Sequence, residues 1–535
     1  MSGRPPLLHI GAAAVLALAA AVRAPFLTSS LPYLGYVDEG HVLHPVTLLL
    51  RTGGWDPGSY LYPSLTAYLC AAAANAARPL YRFVHARPLA ADLSTGADFY
   101  DFVTPAAVIL SGRIVVLAAS LAIVLLGVAL ARRIGGGRAG LAAGVLLALC
   151  PALVQRSSVV VVDTVAALCV LAALNVAARF SPGAENAPVT IRPDATAFLA
   201  GLLSGLAAAA KYPAGAVIVA VVFTLARSGG PRSARWRLVA WSLLGTAAGA
   251  VAGTPAFVLR TRAVVAALSE QSRLYANPAL FTADGPGPPL FAQAFLRWEL
   301  GFLLPLLGAA GAVALLVRRE TRTMTAGWAA FAAVFLAPAL AHAFQPFRYA
   351  LPLVPPLVIA AAALLAREAA RFAKRNTAIL GGAIAALVLS FVPGLVTTFQ
   401  VRGARDSRVT LVNWLAESSR PGTRILVIRE LAILPRELAR LPVTPRVVPW
   451  TDAKALAGSG AFDLLVCGRF DLAGAVPTPH EEEGAAVRDF EAWLAGLPAA
   501  ARFGSVPTPF NPFFWRSNDE LLIVARLEPA AGRTP

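Results

Sequence analysis

Long apolar runs separated by short basic stretches fill the first three quarters of the chain. A helix needs about 20 apolar residues to cross a bilayer, and most of the runs approach that length. The pattern therefore predicts a polytopic α-helical membrane protein with about eleven transmembrane helices. The predicted spans cover approximately residues 7–27, 106–131, 139–155, 158–178, 195–210, 212–226, 238–256, 295–317, 325–343, 349–366 and 377–398.

The apolar run from Ala195 to Ala226 is interpreted as two helices. A single helix over this run would be about 48 Å long at the helical rise, whereas the hydrocarbon core of a bilayer is about 30 Å thick. Lys211, Tyr212 and Pro213 interrupt the run at its middle. We therefore expect a tight turn at Lys211.

Basic residues in the short loops orient the spans. These loops share one side of the membrane only if two crossings separate Arg192 from Arg227, which supports the turn at Lys211. Because short basic loops face the cytoplasm, we expect a cytoplasmic N-terminus. The first loop, from Thr28 to Pro105, a second loop at about 257–294 and the C-terminal region are then extracytoplasmic.

The last part of the chain differs in character from the rest. After Gln400, acidic residues return and the apolar runs shorten, which predicts a small extracytoplasmic α/β domain over residues 399–535, beside a transmembrane domain over residues 1–398. Strands are predicted at Arg424–Arg429, Arg446–Val448, Phe462–Val466 and Glu520–Ala525, and helices at 408–418, 430–440 and 482–495.

Composition favours a membrane protein over a soluble one. Of the 535 residues, 57% are apolar and 14% are charged, and the mean hydropathy is +0.65, whereas soluble proteins carry about 25% charged residues. The net charge of +17 is mostly a signal of membrane topology in the short loops. No nucleic-acid partner is expected, because no basic cluster is accompanied by a soluble fold to carry it. The spacing of the four cysteines indicates neither a zinc site nor a disulfide framework.

The first outer loop carries the most informative residues. Asp38 and Glu39 follow the first span directly, and two apolar-faced helices are predicted at about 40–51 and 64–82, where they would lie on the outer membrane surface. A carboxylate at this boundary can act as a general base on an acceptor hydroxyl. The alternative for Asp38 is a solvated loop acid or a helix cap.

This loop resembles the first periplasmic loop of the polyprenyl-phosphate-sugar-dependent glycosyltransferases of the GT-C fold. Protein O-mannosyltransferases and the aminoarabinose transferase of lipid A would be the closest relatives. That family has an Asp-Glu pair after its first helix and two juxtamembrane helices. The resemblance covers roughly residues 7–370 and continues in four segments, namely Leu110-Ser111-Gly112-Arg113, Pro151 to Arg156 with Val162-Asp163-Thr164, Gly205-Leu206 to Lys211-Tyr212, and Phe347-Arg348-Tyr349 with Leu351-Pro352 and Pro355.

The resemblance implies catalytic roles for the acidic pair. Asp38 matches the catalytic aspartate, which would accept the acceptor's proton as the acceptor oxygen attacks the anomeric carbon of the sugar. The leaving group would be a polyprenyl phosphate, and the anomeric centre would be inverted. Glu39 would support the loop or the acceptor.

The resemblance also implies a substrate-binding set. Asp163 matches a second acidic position near the same cavity. Lys211 and Arg348 match basic positions near the lipid phosphate, where cations suit a leaving group that gains charge. Arg156 and Tyr349 stand in the matching segments and complete the set.

Several of these residues have a second interpretation from physical chemistry alone. Asp163 lies about 9 Å inside its span at the helical rise, and Arg156 lies seven residues earlier on the same helix face, so the two could form a structural pair. Lys211 and Arg348 could extend to the membrane interface. His41 and His44 could supply half of a metal site or be polar surface residues.

One departure from the family concerns substrate and metal. The aminoarabinose transferases have a Glu-Lys pair where this chain has Leu61 and Tyr62. The departure argues against that subgroup's substrate and against a metal site that needs the glutamate. Whether a divalent cation is required stays open from the sequence.

The leading hypothesis is a membrane glycosyltransferase in the bacterial plasma (inner) membrane. Its partners would be a polyprenyl-phosphate-sugar donor, the lipid bilayer and a lipid, glycan or protein acceptor outside the cytoplasm. The C-terminal domain would help to bind or select that acceptor. The alternatives are a secondary transporter and a lipid-linked oligosaccharide ligase or flippase.

Overall fold

The structure is a computed structural model that describes residues 5–93, 104–181, 192–276, 299–341, 347–372, 376–431, 433–468, 489–490, 492–504 and 522–527. Most of the chain up to residue 403 is helical. In chain order the helices there are α1 (Pro5–Arg23), α2 (Val37–Thr52), α3 (Leu65–Ala76), α4 (Arg78–His85), α5 (Ala106–Leu149), α6 (Pro151–Arg156), α7 (Val162–Ala177), α8 (Pro193–Ala210), α9 (Val217–Ala226), α10 (Arg232–Gly253), α11 (Ala256–Leu259), α12 (Thr261–Ala276), α13 (Leu303–Val317), α14 (Arg319–Ala341), α15 (Val354–Ala370) and α16 (Asn376–Gly403).

Length and apolar composition identify the helices that can cross a membrane. Within the described residues, five helical segments qualify, namely Ala106–Leu149, Val162–Phe180, Pro193–Ala210, Tyr349–Ala370 and Thr377–Ser418. Shorter apolar helices cover Ile10–Phe26, Leu65–Ala76, Tyr212–Ala226 and Leu303–Val317. These segments agree with a multi-pass membrane protein.

The long helix α5 folds back on itself at a glycine. Gly136 has φ 82° and ψ −178°, a conformation that a residue with a side chain rarely adopts. A Cβ built on Gly127 would lie 2.1 Å from Leu147 Cδ1, so the two halves of α5 pack against each other closely. The runs predicted at 106–131 and 139–155 correspond to these two antiparallel halves.

The predicted turn at Lys211 is confirmed. Helix α8 ends at Ala210, Lys211 is extended (φ −152°, ψ 122°), and a 3-10 turn (Tyr212–Ala216) leads into α9. Pro213 in that turn cannot donate a backbone hydrogen bond, which prevents α8 from continuing. The break removes Lys211 from the helix and frees it to contact α7.

Glycines bring α8 and α10 into backbone contact. A Cβ built on Gly205 would lie 2.1 Å from the Thr246 carbonyl oxygen, and one built on Gly201 would lie 1.8 Å from the Ser242 carbonyl oxygen. Small residues allow such an approach between membrane helices, where packing replaces the hydrophobic effect as the driving force.

We expect Gly205→Val to destabilise the protein through this helix contact. The added side chain meets backbone atoms that cannot rotate away, and overpacking of this kind costs about 1–3 kcal/mol or more. Gly382→Ala in α16 is the matched control, because a Cβ there meets no atom within 4 Å. Thermal unfolding in detergent should show a lower midpoint for Gly205→Val and an unchanged or higher one for Gly382→Ala. Equal midpoints would contradict the close packing of α8 on α10.

A five-stranded sheet forms the core of the C-terminal domain. Its order is β2-β1-β3-β5-β4, with β1, β2 and β3 parallel and β5 antiparallel to β3 and β4. The elements are α17 (Ser407–Ser418), β1 (Arg424–Ile428), α18 (Pro435–Leu438), β2 (Thr444–Val448), α19 (Trp450–Ala457), β3 (Leu464–Gly468), β4 (Ala499–Phe503) and β5 (Leu522–Arg526). The four predicted strands correspond to β1, β2, β3 and β5.

Some predicted boundaries were wrong. The helix expected over 430–440 is reduced to a 3-10 turn (Arg429–Leu431) and the one-turn helix α18. The helix expected over 64–82 is interrupted at Ala77, since Pro79 favours a new helix start at α4. Most of the helix expected at 482–495, and the second outer loop beyond Ala276, lie outside the described residues.

Candidate active site

The acidic pair of the first outer loop lies in the first turn of α2. Tyr36 is extended (φ −156°, ψ 137°) and precedes the helix, and Asp38 and Glu39 follow Val37 in its first turn. Carboxylates are favourable here because the amide dipoles direct positive charge toward a helix N-terminus. Asp38 is only 9% exposed and Glu39 is fully buried. A solvated loop acid therefore does not describe Asp38.

Glu39 forms a buried ion pair with Arg113 of α5. Arg113 donates from Nε to Oε1 and from Nη2 to Oε2, both at 2.9 Å. This bidentate geometry gives a strong and directional contact between a guanidinium and a carboxylate. The backbone amides of Gly35 and Val160 donate to the same carboxylate at 2.8 and 2.9 Å. Burial alone would raise the pKa of Glu39, but Arg113 and the hydrogen bonds outweigh burial and lower it. Glu39 is thus held ionised between the outer loop, α5 and the segment before α7.

A second buried cluster joins Asp163, Lys211 and Tyr349. Lys211 Nζ lies 2.5 Å from Asp163 Oδ1 and 3.7 Å from the centroid of the Tyr349 ring. Asp163 is 2% exposed and Lys211 is 6% exposed. The three residues come from separate parts of the chain, and the sequence had singled out all of them.

Arg156 contacts a glutamate that the sequence analysis missed. Its Nη2 donates to Glu299 Oε1 at 2.8 Å, and its guanidinium carbon lies 5.5 Å from the centroid of the Tyr36 ring. The Arg156 carbonyl accepts a hydrogen bond from Thr164 at 3.1 Å, next to Asp163. Glu299 is the single acid in the predicted span 295–317. An ionisable residue inside a span is a functional signal in itself, and that signal could have identified Glu299.

The backbone of Arg348 belongs to a 3-10 segment, Phe347–Leu353, that leads into α15. Its side chain lies outside the described residues, whereas the next residue, Tyr349, reaches Lys211.

The two histidines of α2 do not form a metal cluster with other described residues. His41 packs edge-on against Tyr62, with ring centroids 6.1 Å apart. Burial and the neighbouring His44 lower the pKa of His41 to about 4, so this imidazole is neutral at physiological pH. In the part of the chain that the structure describes, no group of three or more His, Cys, Asp or Glu side chains is arranged to hold a metal ion.

An open apolar groove of about 380 Å³ runs between α13, α14 and α15. Leu300, Trp328, Phe331, Ala350 and Leu353 are among its lining residues. Leu300 follows Glu299 in the chain, and Ala350 follows Tyr349. One end of the groove therefore lies beside the polar clusters.

Comparison with known proteins relates the region that contains the polar clusters to a known enzyme family. Residues 95–238 match the dolichyl-phosphate-mannose-protein mannosyltransferase family. The chain is a glycosyltransferase. The matched region contains Arg113, Arg156, Asp163 and Lys211, so four of the clustered residues lie within it. The match confirms the predicted enzyme class. No curated protein matches the chain in sequence.

Solved structures share the fold of this glycosyltransferase. The structure of ArnT from Cupriavidus metallidurans bound to undecaprenyl phosphate has a TM-score of 0.53 and 14% identity, and 98% of each chain is covered. The oligosaccharyltransferase from Archaeoglobus fulgidus, complexed with Zn and sulfate, has a TM-score of 0.51 and 14% identity, covering 93% of this chain and 72% of that one. The same enzyme tethered to an acceptor peptide has a TM-score of 0.50 and 13% identity, covering 94% and 73%. These likenesses confirm the predicted GT-C fold.

Proposed function

We propose that the protein transfers a sugar from a polyprenyl-phosphate-linked donor to an acceptor outside the cytoplasm, with Asp38 as general base. The observation that carries this proposal is that one carboxylate of the acidic pair, that of Glu39, is held in a buried ion pair. Glu39 is committed to Arg113 and two backbone amides. Its lowered pKa also makes it a poor proton acceptor. Asp38, buried one residue earlier in the same turn, is the carboxylate that we assign to proton transfer.

Transfer by this route is a single displacement. The acceptor oxygen bonds to the anomeric carbon, its proton moves to the Asp38 carboxylate, and the bond from the anomeric carbon to the phosphate oxygen breaks. The bonding electrons leave with the polyprenyl phosphate, and attack opposite the leaving group inverts the anomeric centre. Asp38 returns its proton to water before the next turnover.

Buried cations and the apolar groove support a lipid-phosphate donor. Lys211 and Arg156 lie near the groove through Tyr349 and Glu299, whose next residues line it, and each is paired there with a carboxylate. Cationic donors of this kind stabilise a leaving phosphate as its charge grows. The apolar lining suits an isoprenoid chain. The likeness to ArnT, whose structure holds undecaprenyl phosphate, agrees with this donor class. We assign Asp163 and Tyr349 to orienting Lys211, and we include Arg348 in the donor site from the family resemblance.

The acceptor side is proposed to face the periplasm of a bacterial inner membrane, with the N-terminus in the cytoplasm. The distribution of basic loops supports this orientation. The acceptor would be a lipid, a glycan or a protein with a hydroxyl group that can reach Asp38 from outside the cytoplasm.

Mass spectrometry of lipid-linked sugars tests the proposal. We expect cells that lack the protein to accumulate a polyprenyl-monophosphate sugar and to lose one envelope modification, and the intact gene to reverse both changes. Accumulation of a diphosphate-linked glycan would indicate a ligase instead. An unchanged lipid pool, together with solute uptake by proteoliposomes, would indicate a transporter.

A further inference from the structure

The segment that leads into the C-terminal domain contacts the loop just before Asp38. Arg402, near the end of α16, donates from Nη1 to the Gly35 carbonyl at 2.7 Å. Arg408, in the first turn of α17, donates from Nη2 to the Leu34 carbonyl at 2.8 Å. Two consecutive carbonyls of the loop are therefore bonded to arginines from the far end of the chain. We call this pair, Arg402 and Arg408, the arginine clamp.

Asp406 fixes the direction of Arg408. Its Oδ1 accepts from Nε at 2.9 Å and its Oδ2 accepts from Nη2 at 2.8 Å. Oδ1 also accepts from the Arg408 backbone amide at 3.0 Å and so caps α17. The Arg408 guanidinium carbon lies 4.4 Å from the centroid of the Tyr33 ring. Because both Asp406 and Tyr33 contact it, the guanidinium is pre-oriented toward Leu34.

Gly35 is held through both of its backbone polar groups. Its amide donates to Glu39 at 2.8 Å, and its carbonyl accepts from Arg402 at 2.7 Å. The Arg402 guanidinium carbon also lies 6.0 Å from the centroid of the Tyr36 ring. A Cβ at Gly35 would lie 3.2 Å from both Arg402 Nη1 and Arg113 Nη2, so only glycine allows this approach without a shift.

The clamp is buried and charged. Arg402 is 3% exposed and Arg408 is 7% exposed. Burying a guanidinium is costly unless its hydrogen bonds are strong, and hydrogen bonds from a charged donor are about twice as strong as neutral ones. Such a contact restrains the loop far more than an exposed arginine would.

We propose that Arg402 and Arg408 are positioning residues that hold the loop from Tyr33 to Tyr36 and thereby place Asp38 against the acceptor oxygen. This inference rests on the proposed role of Asp38. The segment that leads into the C-terminal domain would then contribute to catalysis, in addition to any role of that domain in acceptor selection. Because a displacement of about 1 Å at a reacting group can cost about 100-fold in rate, loosening the loop should slow the chemical step.

The test compares Arg402→Gln and Arg408→Gln with Arg405→Gln in the full-length protein. Arg405 lies between the two clamp residues in the same segment and is exposed, so it is the matched control. Turnover is measured as polyprenyl phosphate released from the lipid extract of cells lacking the protein, at increasing amounts of extract. Binding is measured separately with undecaprenyl phosphate, and hydrogen exchange is followed over residues 33–40.

We expect each clamp variant to lower the rate at saturating extract by about 10- to 100-fold. Undecaprenyl phosphate affinity should stay within about twofold, since the clamp contacts the loop and not the donor groove, and a loss confined to turnover marks a positioning role. Exchange over residues 33–40 should become faster, whereas Arg405→Gln should behave as the parent protein.

Two outcomes would overturn the inference. One is turnover in both clamp variants equal to that of Arg405→Gln. The other is a loss that appears entirely as weaker undecaprenyl phosphate binding, which would make the arginines donor-binding residues. If the glutamine variants do not fold, Arg402→Lys and Arg408→Lys provide the test, because lysine keeps the charge but has a single donor nitrogen in place of the planar guanidinium. These lysine variants should turn over more slowly than Arg405→Gln without losing affinity, and parent-like turnover in both would overturn the inference.

Asp38→Asn, measured alongside, separates this inference from the proposed function. Full turnover in Asp38→Asn would refute the general base, whatever the clamp variants do. Lost turnover in Asp38→Asn with parent-like clamp variants would refute the clamp alone.

Discussion

Asp38→Asn is expected to give a folded, membrane-inserted protein that no longer transfers sugar. The amide keeps the size and shape of the carboxylate but cannot accept the acceptor's proton, and general-base catalysis contributes about 10²- to 10⁴-fold. Because Asp38 lies in the first turn of α2, the neutral amide gives up a favourable interaction with the helix dipole, which is worth only about 0.3–1 kcal/mol. The measurement is release of polyprenyl phosphate from the donor-lipid extract by the purified variant, together with its elution profile in detergent.

Two variants control for this result. Asp92→Asn alters another acid of the same outer loop, which pairs with Arg87 at 3.0 Å, and should leave turnover unchanged. Asp38→Glu retains a carboxylate but moves it by one methylene, so it should recover part of the rate. Full turnover in Asp38→Asn, or equal losses in Asp38→Asn and Asp92→Asn, would rule out the assignment of Asp38 as base.

Local signals account for what the sequence could predict. The turn at Lys211 follows from an apolar run too long for one crossing and from a proline beside it. The reversal within α5 follows from three consecutive glycines between basic residues, of which Gly136 adopts positive φ. The acidic pair at the start of α2 is visible because it stands shortly after the first span, at the head of a predicted helix. Each feature depends on neighbouring residues, which a single sequence displays.

The choice of ionic partners could not be predicted in the same way. Helical spacing alone allows Arg156 to pair with Asp163, but the structure gives Arg156 an ion pair with Glu299 and Asp163 one with Lys211. These contacts depend on how α6, α7 and the break after α8 meet in space. The bonds from Arg402 and Arg408 to Gly35 and Leu34 cross more than 360 residues. No local pattern encodes such a contact.

Strand β4 was missed for a related reason. Its residues, Ala499–Phe503, are alanine-rich and partly exposed at the edge of the sheet. Alanine is depleted in strands, so the segment becomes a strand through its pairing with β5 and not through its own composition.

The second large effect is expected from Glu39→Gln, which should strongly destabilise the fold. The change leaves Arg113 buried without its ionised partner, and breaking a buried ion pair in this way costs about 3–5 kcal/mol. Arg113 also donates to the carbonyls of Leu27 and Ser29, so its displacement would loosen the connection after α1. Thermal unfolding in detergent at neutral pH should show a clearly lower midpoint than in the parent protein.

Arg87→Gln is the matched control for this stability effect. It breaks the ion pair with Asp92, in which the Arg87 side chain is 57% exposed and the Asp92 side chain 12%. Because the guanidinium stays in contact with water, the pair should contribute about 1 kcal/mol or less. Its midpoint should therefore stay close to that of the parent protein. A similar midpoint for Glu39→Gln would show that the buried pair contributes no more than a surface one.

The pH dependence of the difference in unfolding midpoint between the parent protein and Glu39→Gln tests whether the ionised carboxylate is the source of the stability. The folded state lowers the pKa of Glu39 below its unfolded value, which is about 4.3. The contribution of Glu39 is therefore fully present above the unfolded pKa and is lost as the pH falls through the folded pKa. The parent protein should lose its advantage over Glu39→Gln as the pH is lowered below about 4. A midpoint difference that stays constant down to this range would mean that the shape of the glutamate side chain, and not its charge, stabilises the loop.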